Sequence, residues 1–131
     1  MNLFIKTFLI SLCYVPICFS AEINLVLDKE LPDISGKSGQ ILTVDYKPGE
    51  SSPPHRHYAN TFVYVLEGTL VMAIKGGEEV TIGVGETFYE TPDDIHTVSR
   101  NASDSEPARA LVFFVKDTGA PATVPVNPED L

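Results

Sequence analysis

The stretch Gly49–Gly68 reads GESSPPHRHYANTFVYVLEG and joins two histidines to a run of β-forming residues. His55 and His57 are separated by one residue, and side chains at i and i+2 project from the same face of a strand. Neutral imidazole is the commonest transition-metal ligand in proteins. The pair therefore predicts that one ion can lie between the two rings.

The chain contains only three histidines, and the third lies in a second motif, Gly85–His96, which reads GETFYETPDDIH. A third imidazole from a distant strand would complete a facial set that leaves coordination positions open for a substrate. His55, His57 and His96 are therefore the predicted ligands of a divalent transition metal. Iron, manganese, nickel, zinc and copper all fit, because imidazole discriminates weakly among them.

The sequence around these motifs predicts short strands separated by turns. The segments are rich in β-branched and aromatic residues and are bounded by Gly, Pro, Asp and Asn. No segment has helical spacing of apolar residues over three turns, and parallel strands would need long crossovers. An antiparallel sandwich or barrel is predicted. The predicted strands are Ile23–Leu27, Gln40–Tyr46, Thr61–Leu66, Thr69–Lys75, Glu79–Ile82, Glu86–Glu90, Ile95–Ser99 and Ala108–Val115.

Two of these strands are apolar on both faces, which is typical of strands that are covered on both sides. In Thr61–Leu66 one face carries Phe, Tyr and Leu and the other carries valines, and Thr69–Lys75 is similar. A barrel that forms a homodimer, or one that is wrapped by its own termini, is predicted. The Pro-rich segment 117–131 is an extended tail that either folds back along the barrel or lies on a partner.

Residues 1–20 are predicted to be a signal peptide that is cleaved after Ser20. Lys6 precedes the apolar run Thr7–Phe19, which has the length of a signal-peptide core and is short for a membrane span. The predicted location is the periplasm or the extracellular medium, with an uncleaved anchor as the alternative. Cleavage would remove Cys13 and Cys18, leaving a chain without disulfides that its core alone must stabilise.

The charge balance disfavours polyanionic partners. The full chain has a net charge of −9, and without Lys6 it has 8 basic residues against 18 acidic ones, a net charge of −10. Like charges repel, so neither nucleic acid nor an anionic membrane surface is an expected partner. A small molecule is the expected ligand or substrate.

With both histidine motifs placed among short strands, the chain resembles a small single-domain cupin, a jelly-roll β-barrel. The first cupin motif has a glycine, two histidines and a second glycine where this chain has Gly49, His55, His57 and Gly68. The second motif is matched in order by a glycine, a proline, a histidine and an asparagine: Gly85, Pro92, His96 and Asn101. The resemblance implies a lead-in strand in 21–39, a cupin barrel in 40–116 and the tail in 117–131.

The chain departs from the family pattern at one position. The family places a glutamate seven residues before the second glycine, and this chain has Thr61 there. A threonine hydroxyl is a poor ligand for these ions and is expected to hydrogen-bond a metal-bound water instead. The predicted site has three histidines and no carboxylate, so an anionic or chelating substrate would gain more from the uncompensated charge of the metal.

Four further polar side chains lie near the motifs in sequence. Tyr64 and Tyr89 are candidate catalytic residues, because a phenol in a pocket can donate a proton or a hydrogen bond. Glu86 and Glu90 alternate on one short strand, a pattern that is usually solvated.

These features favour a metal-dependent enzyme that acts on a small molecule, since open coordination positions suit Lewis-acid or oxygen-activating chemistry. The resemblance implies dioxygenase-like or lyase/isomerase-like reactions. A non-catalytic module that binds a small ligand or a metal is the first alternative, and a structural dimeric barrel is the second.

Overall fold

Two antiparallel β-sheets contain most of the computed structural model, which describes residues 21–131. The predicted signal peptide lies outside the described residues. Among those residues there is no α-helix, and a single 3₁₀ turn, Pro128–Asp130, is the only helical element. The strands are β1 (Glu22–Glu30), β2 (Lys37–Tyr46), β3 (Ser51–Ser52), β4 (His55–Arg56), β5 (Asn60–Glu67), β6 (Thr69–Ile74), β7 (Val80–Gly83), β8 (Thr87–Glu90), β9 (His96–Asn101), β10 (Ala108–Asp117) and β11 (Val124–Pro125).

The strand order is that of a jelly roll. One sheet runs β1-β2-β10-β5-β8 and the other runs β11-β4-β9-β6-β7, with β3 paired to β9. Strands far apart in sequence, such as β2 and β10, are neighbours across ten paired positions. The predicted all-β barrel is therefore confirmed. The short strands β3, β4 and β11 were not predicted from the sequence.

The core lies between the sheets and is built by alternation along the long strands. In β10 the residues Ala110, Val112 and Phe114 are buried, while their neighbours on the other face are more exposed. Side chains of one parity in β2 and β5 meet them, as the two-residue period of a strand requires. The buried apolar cluster comprises Ala21, Leu42, Val44, Tyr46, Ala59, Val63, Val65, Leu70, Met72, Ile82, Ala108, Ala110, Val112 and Phe114.

The turn between β5 and β6 explains the second glycine of the first motif. Gly68 has φ +71°, in the left-handed region that glycine adopts without a steric penalty. A Cβ atom at this position would lie 2.5 Å from the carbonyl oxygen of Pro107 and 2.9 Å from Ala108. No residue with a side chain fits this turn without moving β10.

The tail folds back onto the barrel, which decides between the two predicted arrangements. β11 pairs with β4, and the Lys75 ammonium donates a hydrogen bond to the carbonyl of Asp130 at 2.6 Å. The tail thus lies beside the strand that carries His55. Within residues 21–131, no helix has the length and hydrophobicity needed to cross a membrane.

Candidate metal centre

Strand pairing brings the three histidines together. His55 is the direct cross-strand partner of His96 in the β4–β9 pair, and His57 follows two residues later. One ring nitrogen from each histidine lies within 4.8 Å of the other two. The H-x-H motif and the distant third histidine therefore converge as the sequence predicted.

Hydrogen bonds orient the first two rings. His55 Nδ1 donates to the carbonyl of Pro53 at 2.8 Å, and His57 Nδ1 donates to the carbonyl of Ala122, in the tail, at 2.7 Å. A carbonyl oxygen only accepts, so each Nδ1 carries the proton and each Nε2 is left with a lone pair. The two Nε2 atoms lie 3.2 Å apart. Two lone pairs at this distance repel each other, and a cation bound by both removes the repulsion.

His96 and Glu90 complete the cluster. His96 is buried, and among the described residues neither of its ring nitrogens has a hydrogen-bond partner. Glu90 Oε1 lies 3.2 Å from His96 Nδ1 and 3.8 Å from His57 Nε2, and it too lacks a hydrogen bond. A buried polar atom without a partner costs about 1–3 kcal/mol. The ring nitrogens of His96 and the carboxyl oxygen of Glu90 are therefore suited to coordinate a transition metal.

Burial sets the protonation of the site. Desolvation lowers the pKa of His57 to about 4 and that of His96 to about 3, and it lowers the pKa of His55 as well. Desolvation, aided by the charge of Asp94, raises the pKa of Glu90 to about 8. At neutral pH the metal-free site thus holds neutral imidazoles and a protonated carboxyl, so the short Glu90–histidine distances are not ion pairs. Neutral imidazole is the form that binds metal.

Glu90 corrects one expectation from the sequence. Glu86 is exposed, as predicted, and accepts a hydrogen bond from the Gly83 amide, but Glu90 is only 1 % exposed. Glu90 pairs with Thr61 across the β5–β8 ladder, and this register directs it into the barrel. The apolar Phe88, which has the same parity as both glutamates, was the one sequence signal that this face turns inward.

Thr61 lies inside the barrel, where the family pattern has its glutamate. It is fully buried, and its hydroxyl donates a hydrogen bond of 3.3 Å to the carbonyl of Ala59. A hydrogen bond from Thr61 to a metal-bound water stays a prediction.

The structure does not bring Tyr64 and Tyr89 to the histidines. Because Thr61 faces inward, strand alternation turns Tyr64 outward, and Tyr89 lies on the same outer face of β8. Both side chains are about half exposed, and the Tyr89 hydroxyl donates to Asn60 Oδ1 at 2.7 Å. Among residues 21–131, the tyrosine buried within the barrel is Tyr46, whose hydroxyl lies 2.6 Å from Ser99 Oγ.

A cavity of about 410 Å³ opens onto the histidines. Most of its wall is apolar, with residues from both sheets and from the tail such as Leu42, Val112, Phe114 and Val126. Its polar groups are those of the histidine cluster and the hydroxyls of Tyr46, Ser52, Thr61, Ser99 and Thr123. None of the described residues that line it is Lys or Arg. The cavity is therefore suited to a small, largely apolar molecule with one polar end.

Comparison with known proteins agrees with this architecture. Residues 42–114 match the cupin domain. A germin-like protein (subfamily 2 member 2) from Arabidopsis thaliana is 31 % identical over 116 residues, which cover 79 % of this chain and 52 % of that protein. The chain spans about half the length of the curated relatives that it matches.

Solved structures share the same fold at lower identity. A DMSP lyase from Ruegeria pomeroyi superposes with a TM-score of 0.67 at 21 % identity, covering 84 % of this chain and 53 % of that one. Oxalate oxidase bound to the substrate analogue glycolate has a TM-score of 0.60 at 22 % identity, covering 85 % and 56 % of the two chains. At these identities the similarity establishes the barrel alone.

Proposed function

Since this chain belongs to the cupin family, we propose that it is a metal-dependent enzyme that acts on a small molecule. One observation carries the proposal: His55 and His57 turn their unprotonated Nε2 atoms toward each other, next to His96, in the wall of a cavity. The three histidines bind a divalent ion of iron, manganese, nickel, zinc or copper. Such an ion supplies Lewis-acid polarisation of a substrate oxygen or activation of dioxygen.

The reaction is of dioxygenase type or of lyase/isomerase type. Both kinds of chemistry have counterparts among the similar structures, which include an oxalate oxidase and a DMSP lyase. The protein's own contribution is to exclude water with its apolar wall and to orient the substrate. The Tyr46 and Ser99 residues, whose hydroxyls are hydrogen-bonded to each other, belong to the cavity lining and are candidates for contacting the substrate.

Any charge on the substrate lies at the end that meets the metal. Apart from the metal ion the cavity offers no cationic partner, because the described lining contains no Lys or Arg, and a charge buried elsewhere in it would be unpaired. A cavity of about 410 Å³ admits a drug-sized or smaller molecule. Apolar contacts therefore bind the body of the substrate, and an oxygen-bearing end points to the histidines.

Substrate turnover by the protein loaded with one metal at a time tests this function. The full chain is stripped with a chelator, loaded with each of the five metals, and incubated with a panel of small diketones, phenols and thiols. Oxygen uptake and product masses are measured. We expect turnover with at least one metal and none in the His55→Ala, His57→Ala variant. Absence of turnover with every metal and substrate overturns the enzymatic assignment.

A non-catalytic binding module is the second candidate, and the apolar lining favours it, because such a cavity retains a small ligand without any chemistry. Tight binding of a panel member, measured by calorimetry and unaccompanied by product, selects this function. A purely structural barrel is selected if the protein binds neither metal nor small molecule.

A second copy of the chain is the partner proposed for the outer sheet face. Phe62, Tyr64, Leu66 and Tyr89 are all more than 40 % exposed on the outer side of β5 and β8. At the far edge of the same sheet, every residue of β1 is exposed, including Leu25. A two-fold dimer covers such a face with the same patch of its partner. Sedimentation velocity tests this.

The apolar segment at the N-terminus supports export of the protein. Its proposed location is the periplasm or the extracellular medium. N-terminal sequencing of protein recovered from cell fractions tests both points. A mature chain that begins at Ala21 outside the cytoplasm supports export with cleavage. A full-length chain in the membrane fraction supports an uncleaved anchor instead.

A further inference from the structure

The barrel contains a carboxylate on the strand next to the one where the family pattern places it. Thr61 on β5 occupies the family's glutamate position, and its direct cross-strand partner on β8 is Glu90. Both side chains are buried, with Thr61 0 % and Glu90 1 % exposed. Directly paired residues project to the same face of a sheet with Cβ atoms about 4.5–5.5 Å apart. A longer side chain at 90 can therefore reach the space that one at 61 leaves empty.

The distances fit a shared ion. Nitrogen and oxygen ligands lie about 2.0–2.2 Å from a transition metal, so two neighbouring ligands of one ion lie roughly 3–4 Å apart. Glu90 Oε1 is 3.2 Å from His96 Nδ1 and 3.8 Å from His57 Nε2. The His55 and His57 Nε2 atoms are 3.2 Å apart. The distances from the carboxylate oxygen to His57 and His96 thus fall in the range expected for two ligands of one ion.

Hydrogen bonding within the protein does not account for this placement. Glu90 Oε1 and His96 Nδ1 are close, yet neither has a hydrogen-bond partner among the described residues. A carboxylate that merely orients an imidazole would accept its N–H proton in a well-formed bond. A metal ion bound by both side chains would account for this close approach without a hydrogen bond between them.

We propose that Glu90 is the carboxylate ligand of the metal centre, so that this chain has transferred the acidic ligand from β5 to β8. The inference rests on the proposed metal-binding function. It replaces the expectation of a site with three histidines and no carboxylate. One negative charge within the ligand set reduces the net charge of a divalent centre to +1, which weakens the expected preference for an anionic substrate and agrees with a cavity lined without Lys or Arg.

Metal affinity measured on matched variants tests the proposal. Zinc and cobalt dissociation constants are obtained by chelator competition for wild type, Glu90→Gln and Glu86→Gln. Glu90→Gln keeps the size of the side chain and removes the anionic ligand, and we expect its affinity to fall at least about 100-fold. Glu86→Gln alters an exposed acid of the same strand region and should bind as wild type does. Circular dichroism confirms that each variant is folded.

Two further measurements separate a ligand from a nearby structural charge. X-ray absorption at the metal edge should lose one oxygen neighbour in Glu90→Gln, and the double variant Thr61→Glu, Glu90→Gln should regain part of the affinity. Unchanged affinity in folded Glu90→Gln, or a loss of affinity with an unchanged ligand shell, overturns the proposal. If the wild type binds metal and only the His55→Ala, His57→Ala variant loses it, the metal function stands and the Glu90 assignment fails. If the wild type binds no metal, both fail.

Discussion

Where Thr61 pairs with Glu90, strands β5 and β8 carry opposite chemistry on their two faces, and the polarity there is the reverse of the usual one. The inner face presents Thr61 and Glu90, which are polar and almost fully buried, while the outer face presents Phe62 and Tyr89, which are apolar or aromatic and 46 % and 48 % exposed. The same ladder pairs Thr61 with Glu90 and Phe62 with Tyr89. One pair of strands thus separates a buried polar site from an exposed aromatic surface.

The residues on these two faces do not maximise the stability of an isolated, metal-free monomer. Burying a carboxyl without a hydrogen bond and exposing large aromatic rings both raise the free energy of an isolated chain. A metal ion would compensate the inner face, and a second protomer would cover the outer one. Changes confined to one face should therefore leave the function of the other intact.

The largest expected effect is on the inner face. His57→Ala removes a proposed ligand nitrogen and also the hydrogen bond to the Ala122 carbonyl. We expect metal affinity to fall at least about 1,000-fold, or about 4 kcal/mol, measured by chelator competition. Arg56→Ala is the matched control, because Arg56 lies between the two histidines and bonds outward to the Asp93 carbonyl. An equal loss in both variants would show that the effect is structural.

The next effect belongs to the outer face. Phe62→Glu places a charge at the centre of the aromatic patch, where Phe62 stacks with Phe113 and packs against Tyr89. We expect the dimer dissociation constant to rise about 100-fold, since central aromatic residues are typical interface hot spots. Sedimentation velocity measures the change, and metal affinity should be unaltered. A wild-type protein that is monomeric at high concentration contradicts the proposed dimer.

The stability of the metal-free protein should depend on Glu90 and on pH. Burial raises the pKa of Glu90 in the folded protein to about 8, above the ordinary value of 4.5, so the unfolded state loses the proton first and stability falls as pH rises through that window. The histidines act oppositely, because their lowered pKa values cost stability only as pH falls below about 6.5. Between about pH 6.5 and pH 9, wild type should lose about 2 kcal/mol relative to Glu90→Gln.

Denaturant unfolding of both proteins in the presence of a chelator measures this difference. The two unfolding free energies should run parallel below about pH 4.5, where the carboxyl is protonated in the folded and the unfolded states alike. A constant difference across the whole range would mean that Glu90 titrates normally in the folded protein.

The smallest expected effect is the difference in unfolding free energy between two variants that each lose a tyrosine hydroxyl. Tyr46→Phe removes a buried hydroxyl that bonds Ser99 Oγ at 2.6 Å, and we expect a loss of about 1 kcal/mol in unfolding free energy. Tyr89→Phe removes an exposed hydroxyl that bonds Asn60, and water replaces that bond at a cost below about 0.5 kcal/mol. Equal losses in thermal or denaturant unfolding would contradict the difference in burial between the faces.

The histidine spacing predicted much of the site, because the backbone geometry of a single strand fixes which side chains share a face. His55 and His57 share a strand face for reasons of geometry alone, and the resemblance of both motifs to cupins implied that His96 would join them. The parity of Thr61 placed it inside the barrel in the same way. The roles considered for Tyr64 and Tyr89 depended instead on which face of each strand turned inward, and the structure places both outside.

A β-rich barrel and the grouping of the three histidines were predictable from the sequence, because alternation and turn residues act over a few positions along the chain. The folded chain was needed to show that the tail returns to hold His57 through the Ala122 carbonyl and that β8 pairs with β5 so that Glu90 lies opposite Thr61. A one-residue change in that register would have left Glu90 in solvent, as its sequence context suggested. Strand register depends on contacts between distant segments, and no local pattern specifies it.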